Sequence, residues 1–230
     1  MERRSQVKAI LLGATGMVGQ GVLRECLLDP EVEGVLTIVR SATLQRHEKV
    51  HEMVHQDLSD LSAMEDRLSG YDACFFCLGV SAAGMKEEAY QRVTYDLTVS
   101  VAKTLAKLNP TMTFIYVSGA GTDSTERGRT MWARVKGKTE NALLQMPFKG
   151  EYMFRPGYIQ PLHGIRTKTI WYRAFYAVMG PLYPVWKVLF PKYVTTTECI
   201  GRAMLKVARR GARKSVLENQ EINEICGEGS

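Results

Sequence analysis

The sequence predicts an α/β protein with a doubly wound parallel sheet, helices on both faces, and a small, mostly helical C-terminal segment. Short apolar runs alternate with segments of helical spacing over residues 7–160, and this alternation is typical of a parallel sheet with right-handed crossovers. The 230 residues are 45% apolar, which is enough for one hydrophobic core. We therefore expect a single domain over 1–230, in which 158–230 form an appendage.

The individual elements follow from local patterns. The run Val7–Leu12 is apolar except for one lysine and indicates a buried strand, and Met17–Leu28 is the helix that follows it. Further strands are predicted at 35–39, 49–55, 73–78, 113–117 and 152–154, and further helices at 58–68, 86–108, 132–144 and 195–209. Ser59 is the expected cap of the helix at 58–68, and one of the threonines at 195–197 is the expected cap of the last helix.

The turn between the first strand and the first helix contains the pattern G-x-x-G-x-x-G. Its first glycine permits a tight turn, its second lets the backbone approach a pyrophosphate, and its third lets the helix pack on the sheet. The backbone N–H groups and the helix dipole then bind the anion. The pattern favours a dinucleotide-binding Rossmann fold over a merely structural turn. The expected contacts are Gly13, Thr15, Gly16, Met17, Val18 and Gly19.

The end of the second strand distinguishes the two nicotinamide dinucleotides. An acid there would bind the ribose 2′-hydroxyl of NAD(H) and repel the 2′-phosphate of NADP(H). The chain instead has Arg40 followed by Ser41. An arginine can bind a phosphate with two parallel hydrogen bonds, and a serine can add another. The sequence therefore favours NADP(H) over NAD(H), with simple exposure of Arg40 at a strand end as the alternative.

These motifs resemble the atypical short-chain dehydrogenase/reductase superfamily, above all its epimerase/dehydratase-like, Tat-interacting-protein-like and NmrA-like members. The resemblance covers roughly residues 7–160 and extends more loosely beyond them. It implies an NADP-dependent oxidoreductase acting on a small apolar carbonyl or hydroxyl compound, with 158–230 on the substrate side. It also implies that Asp57 and Leu58 contact the adenine, that Leu78, Gly79 and Val80 lie along the ribose, and that Pro156 and Gly157 lie beside the nicotinamide.

Catalysis in this superfamily depends on a Tyr-x-x-x-Lys pair. The tyrosine exchanges a proton with the substrate oxygen, while the lysine lowers the pKa of the tyrosine and binds the ribose. Here Trp132 occupies the tyrosine position and Lys136 the lysine position, and an indole N–H is not a proton shuttle near neutral pH. Ser118, followed by Tyr158, is the candidate replacement. The alternative hypothesis is a sensor or scaffold that binds NADPH without turnover.

Cysteine usage and the absence of targeting patterns indicate where the protein works. The cysteines are odd in number, and Cys74 and Cys77 form a C-x-x-C pattern inside an apolar strand, which favours buried thiols in a reducing compartment. There is no secretory signal and no apolar run of the roughly 20 residues that a membrane span needs. The expected location is cytoplasmic. Three histidines, at 47, 51 and 55, recur every four residues, but no acid or cysteine completes a recognised metal site with them, so no metal is expected.

Partners are predicted from charge and aromatic content. The net charge of +6 comes from the basic residues after position 150, and aromatic residues concentrate in 170–192. This aromatic segment could cover the cofactor, line an apolar substrate pocket or make weak peripheral contact with a membrane. Helices 86–108 and 132–144 could form a homodimer face. No nucleic-acid-binding module is recognisable.

Overall fold

The computed structural model describes residues 6–43, 45–165, 183 and 189–227. A seven-stranded sheet forms the centre of the protein, and all of its neighbouring strands are parallel. Its strands are β1 (Val7–Leu12), β2 (Val32–Val39), β3 (Val50–Val54), β4 (Ala73–Phe76), β5 (Thr113–Val117), β6 (Gly150–Arg155) and β9 (Val216–Glu218). The spatial order is β3-β2-β1-β4-β5-β6-β9. The predicted fold class is confirmed.

Two apolar clusters pack on opposite faces of this sheet because the side chains of each strand alternate between the faces. Leu11 and Phe75 belong to one cluster, and Ile10 and Phe76 belong to the other. The first cluster also contains side chains of α1 (Met17–Leu28) and α5 (Thr197–Arg210), and the second contains side chains of α3 (Leu97–Leu108). Burial on both faces explains why the central strands are continuously apolar.

The helices agree with the predictions except in two places. The predicted helix at 86–108 consists of α2 (Glu87–Gln91), a π-helical turn (Arg92–Asp96) and α3. The predicted helix at 58–68 is wrong, because the segment contains only a 3₁₀ helix, Ser62–Arg67. The expected cap, Ser59, instead donates a hydrogen bond to the Asp57 carboxylate, in a turn that precedes the 3₁₀ helix. Helix α4 (Met131–Leu143) begins one residue before its predicted start.

The C-terminal part contains more structure than the sequence predicts. Strands β7 (Tyr158–Gln160) and β8 (Val194–Thr196) form a separate parallel pair, and helix α6 (Asn219–Gly227) follows β9. Thr196 caps α5, because its side-chain oxygen accepts a hydrogen bond from the Cys199 amide at 3.0 Å. Most of the predicted aromatic segment at 170–192 lies outside the described residues. No helix among those described is long and apolar enough to cross a membrane.

The cysteines are only partly as expected. Cys74 and Cys77 are free, and Cys74 is fully buried. Cys199 of α5 and Cys226 of α6 form a disulfide across a Cα–Cα separation of 5.3 Å, which the sequence analysis does not predict. Sequence spacing could not predict this bond, because the two residues are 27 positions apart and meet only when α6 crosses α5.

Candidate cofactor and active site

The candidate site lies where the strand order reverses. Strand β1 pairs with β2 on one side and with β4 on the other, so the loops that follow β1 and β4 diverge towards opposite ends of the sheet. Ligands of doubly wound proteins bind in the crevice at this point. A cavity of about 380 Å³ opens here, and we call it the cofactor cavity. Its lining consists of Gly13, Ala14, Thr15, Ile38, Val39, Arg40, Ser41, Gln56, Leu58 and Leu78.

The glycine loop leaves no room for side chains at two of its three glycines. Gly13 has a φ of +85°, and a Cβ there would lie 2.6 Å from the carbonyl carbon of Cys77. A Cβ on Gly19 would lie 2.1 Å from the carbonyl oxygen of Gly13. Gly16 is less crowded, with the same oxygen 3.3 Å from an added Cβ. The loop is therefore packed against the backbone that follows β4 on its inner side, and its middle glycine provides the close approach from outside.

The start of α1 suits an anion. Gly16 occupies the N-cap position, no side chain makes a cap hydrogen bond there, and the first turn contains no acid. The N–H groups of the first turn of a helix have no partner within the helix, and the dipole adds partial positive charge at that end. Met17 and Val18 supply two of these groups. A dinucleotide pyrophosphate fits this cradle by charge and by the space at Gly16.

Beyond the loop, the cofactor cavity is lined by polar side chains from the ends of β2 and β3. Arg40 and Ser41 are both exposed and both line it. Gln56 also lines it, although no sequence motif predicts this position. Asp57, which was selected for the adenine, is not in the lining. Its carboxylate accepts hydrogen bonds from the amide and hydroxyl of Ser59, which lower its pKa.

A second cavity, of about 470 Å³, contains the altered catalytic position, and we call it the Trp132 cavity. Its lining is mainly apolar and consists of Val80, Ser81, Ala82, Ala83, Tyr90, Met131, Trp132 and Lys136. Trp132 and Lys136 are one turn apart on α4 and therefore share a face of the helix. Tyr90 of α2 is 2% exposed and was missed by the sequence analysis. Gly79 precedes this lining and has open space around its Cα.

The Lys136 amine is held between a carbonyl group and an apolar cavity. Its Nζ donates a hydrogen bond to the carbonyl oxygen of Ser118 at the end of β5. Burial lowers the pKa of Lys136 from 10.5 to about 8, and the negative charge of Glu140, one turn further along α4, partly opposes this shift. Such an amine changes charge close to neutral pH, as expected for a group at a functional site.

The other predicted residues are placed less favourably for catalysis. The Ser118 hydroxyl donates its proton to the carbonyl oxygen of Phe154 at 3.1 Å. Tyr158 lies on β7, outside the lining of the Trp132 cavity, and its hydroxyl donates to Gln160 at 2.8 Å. The Pro156 carbonyl accepts from Ala120 at 2.9 Å. These hydrogen bonds hold the local structure beside the cavities. Because both hydroxyl protons are donated to protein groups, neither Ser118 nor Tyr158 presents an acid to a substrate.

The segment that follows β6 is fixed by Arg155 and by α6. Arg155 turns away from the cavities and forms an ion pair with the fully buried Glu140, with a second bond to Glu218 at 3.1 Å. The Gly157 amide donates to Asn219 at 2.9 Å, and the Asn219 amide donates in turn to the backbone of β8 at 3.2 Å. The predicted position of Pro156 and Gly157 therefore depends on helices α4 and α6.

A parallel sheet with a glycine cradle at its switch point defines a dinucleotide-binding Rossmann protein. The family model described as NAD(P)H-binding matches residues 13–145. This span is more than half of the chain, and the chain therefore belongs to the NAD(P)H-binding family. The resemblance to atypical short-chain dehydrogenases/reductases is confirmed by this match and by the relatives and solved structures that follow.

Relatives of known name align with about two thirds of the chain. FMP52 of Saccharomyces cerevisiae is 30% identical over 166 residues, which is 71% of this chain and 69% of that protein. FMP52-2 of Scheffersomyces stipitis is 30% identical over 65% of each chain, and rat HTATIP2 is 27% identical over 64% of this chain and 60% of its own length. The match thus spans less than two thirds of the last two relatives.

Solved structures share the fold at low sequence identity. The enzyme WbmF of Bordetella bronchiseptica, in complex with NAD⁺, has a TM-score of 0.66 at 14% identity, covering 98% of this chain and 80% of that one. ADP-L-glycero-D-manno-heptose-6-epimerase of Helicobacter pylori has a TM-score of 0.66 at 15% identity, covering 98% and 82%. At this identity the likeness establishes the fold alone.

The comparisons also correct one expectation. The cytoplasmic location is wrong by this comparison, because the FMP52 relatives from Scheffersomyces stipitis and Saccharomyces cerevisiae and their counterpart from Emericella nidulans are all named mitochondrial. Neither the cysteines nor the absence of recognised targeting patterns distinguishes one interior compartment from another.

Proposed function

We propose that this chain binds NADPH and is an oxidoreductase acting on a small, fairly apolar carbonyl or hydroxyl compound. The observation that supports it best is the adjacency of the glycine cradle to a cofactor cavity whose rim is Arg40 and Ser41. Arginine is suited to a 2′-phosphate because its planar guanidinium matches phosphate geometry and stays charged. The apolar wall of the Trp132 cavity favours a substrate with little charge.

In this proposal each part of the chain has a separate task. When bound, NADPH supplies the hydride. The backbone of Gly13 to Gly19 holds the pyrophosphate, Arg40 and Ser41 hold the 2′-phosphate, and Lys136 holds the nicotinamide ribose. Leu58 and Leu78 give an apolar surface to the adenosine half. Val80 and Trp132 form part of the apolar wall at the reacting end.

A cofactor titration tests the proposal. Intrinsic fluorescence should report saturable NADPH binding at micromolar concentration, and no saturation would refute it. Arg40→Ala should weaken NADPH binding on the order of 10- to 100-fold, as expected for the loss of charged hydrogen bonds worth about 1.5–3 kcal/mol, and leave NADH binding nearly unchanged. Equal losses for both cofactors would refute the 2′-phosphate role. The matched control is Arg213→Ala, an exposed arginine outside the cofactor cavity.

A second function is favoured by one residue, Trp132. An indole in the tyrosine position preserves the aromatic wall of the cavity but does not transfer protons near neutral pH. A sensor that binds NADPH without turnover is therefore the alternative. A panel of carbonyl compounds, followed by NADPH oxidation, separates the two functions. Activity in Trp132→Tyr but not in the natural chain would identify the natural chain as a sensor.

A further inference from the structure

We infer that Lys136 is itself the proton donor to the substrate oxygen, a catalytic role in addition to holding the ribose. The inference rests on the proposed oxidoreductase function and assigns the step that Trp132 leaves without a tyrosine. It depends on which groups have protons available in the Trp132 cavity, and on how each of those groups is already bonded.

The two candidates predicted from the sequence already donate their hydroxyl protons to other groups of the protein. Ser118 is 5% exposed, and its hydroxyl proton lies in the hydrogen bond to the Phe154 carbonyl. Tyr158 is outside the cavity lining and donates to Gln160. Neither can protonate a substrate in the Trp132 cavity without first breaking a bond that holds the local structure.

Lys136, in contrast, lines the cavity and has more N–H donors than its hydrogen bond to Ser118 uses. An ammonium group has three N–H donors, and the Ser118 carbonyl accepts one of them. The others remain for the ribose and for an oxygen bound against the cavity wall. Burial brings the pKa of the amine to about 8, so that the group is protonated at neutral pH and is still acidic enough to release a proton.

The charged and titratable groups around Lys136 come from several elements. Glu140 lies one turn along α4 and raises the pKa of the lysine, while Arg155 of β6 pairs with Glu140 and reduces that influence. Among the described residues, Tyr90 of α2 is the other titratable group in the cavity lining. Its phenol is therefore the rival proton donor that an experiment must exclude, although the residue is only 2% exposed.

The step balances without another reactant. The carbonyl carbon gains the hydride from NADPH, and the carbonyl oxygen gains a proton as one N–H bond of Lys136 breaks. The products are the alcohol, NADP⁺ and a neutral amine on Lys136, which then takes a proton from water. In the reverse direction the neutral amine is the base that removes the proton from the alcohol.

The first test measures the lysine without turnover. Reductive methylation with formaldehyde and a borohydride, followed by peptide mass spectrometry, gives the pH dependence with which Lys136 reacts in the natural protein, because only the neutral amine reacts. A midpoint near pH 8 supports the inference, and a midpoint near 10.5 overturns it. Lys138, two positions along the same helix, is the internal reference.

The second test separates proton donation from cofactor binding. Lys136→Arg keeps a cation and hydrogen-bond donors but cannot be deprotonated, so NADPH binding should change less than 5-fold while turnover falls on the order of 100-fold or more. Turnover of the natural protein should decline above pH 8 as the ammonium is lost. Lys138→Arg is the matched control.

The outcomes are distinct. Absence of NADPH binding in the natural protein refutes the proposed function as a whole. Binding without turnover overturns this inference and favours the sensor. Turnover retained within threefold in Lys136→Arg, or a loss in Tyr90→Phe as large as the loss in Lys136→Arg, also overturns it. If Lys136→Arg does not fold, the methylation midpoint of the natural protein decides.

Discussion

Replacing Lys136 with methionine should stabilise the protein at neutral pH. The fall of its pKa from 10.5 to about 8 corresponds to about 3 kcal/mol of folding free energy, since one tenfold change in proton affinity equals about 1.4 kcal/mol. Below pH 8 the lysine is charged in both the folded and the unfolded chain, and the full cost of burying that charge is present. Between pH 8 and 10.5 the folded protein holds fewer protons than the unfolded chain, so its stability rises with pH. Above 10.5 the cost has vanished.

Urea denaturation at pH 7, 8, 9 and 10.5 measures this effect directly. Lys136→Met should exceed the natural protein by up to about 3 kcal/mol at pH 7, and the difference should shrink steadily towards pH 10.5. Lys138→Met, on the same helix, should show no such pH-dependent gain. If the methionine variant is no more stable than the natural protein at pH 7, or if its advantage does not change with pH, the assigned burial of the charge is wrong.

Two further predictions concern the bonds that support the site. Glu140→Gln leaves the Arg155 guanidinium, which is 11% exposed, without its buried partner, and should cost about 3–5 kcal/mol in urea denaturation; the exposed Glu88→Gln is its control, and equal effects of the two would contradict the argument. Reduction of the Cys199–Cys226 bond releases a segment of 27 residues and should cost about 3–4 kcal/mol by chain entropy. The double serine variant should then lose its response to reductant, and a response that persists would place the effect elsewhere.

The central fold could be predicted because its signals are local. Strand β1 is an apolar run broken only by Lys8, and α1 is bounded by the glycine loop and by Pro30, so both are predicted with their observed limits. Strands β7, β8 and β9 have three residues each and are defined by partners far away in the chain. So short a strand has no periodicity to detect. The longer helix predicted at 58–68 does not form, because the carboxylates of Asp57 and Asp60 accept hydrogen bonds from the amides two residues later and divert the backbone into turns.

The residues of the candidate site can likewise be predicted only where they follow a strand directly in the sequence. Residues of the glycine loop and of the end of β2 follow strands directly in sequence, and the structure places Arg40 at the cofactor cavity. Tyr90 could not be selected, because an aromatic residue on an amphipathic helix is equally typical of an ordinary core position. Only the packing of α2 against α4 places its ring beside Trp132. The bonding of Ser118 and Tyr158 likewise depends on β6 and β7, which the sequence pattern does not position.

The basic charge of the C-terminal part also acquires a structural explanation for some of its residues. Helix α5 runs alongside α1 so closely that a Cβ on Gly21 would lie 2.6 Å from the carbonyl oxygen of Thr197. Arg209 of α5 pairs with Asp29, beyond the end of α1, at 2.7 Å. Part of the excess charge therefore joins two helices and is not available to an anionic partner. Because α1 begins at the glycine loop, the packing of α5 against α1 holds the helix whose first-turn N–H groups have no partner within the helix. The C-terminal part of the chain thus supports the start of α1 through packing, although none of its described residues lines the cofactor cavity.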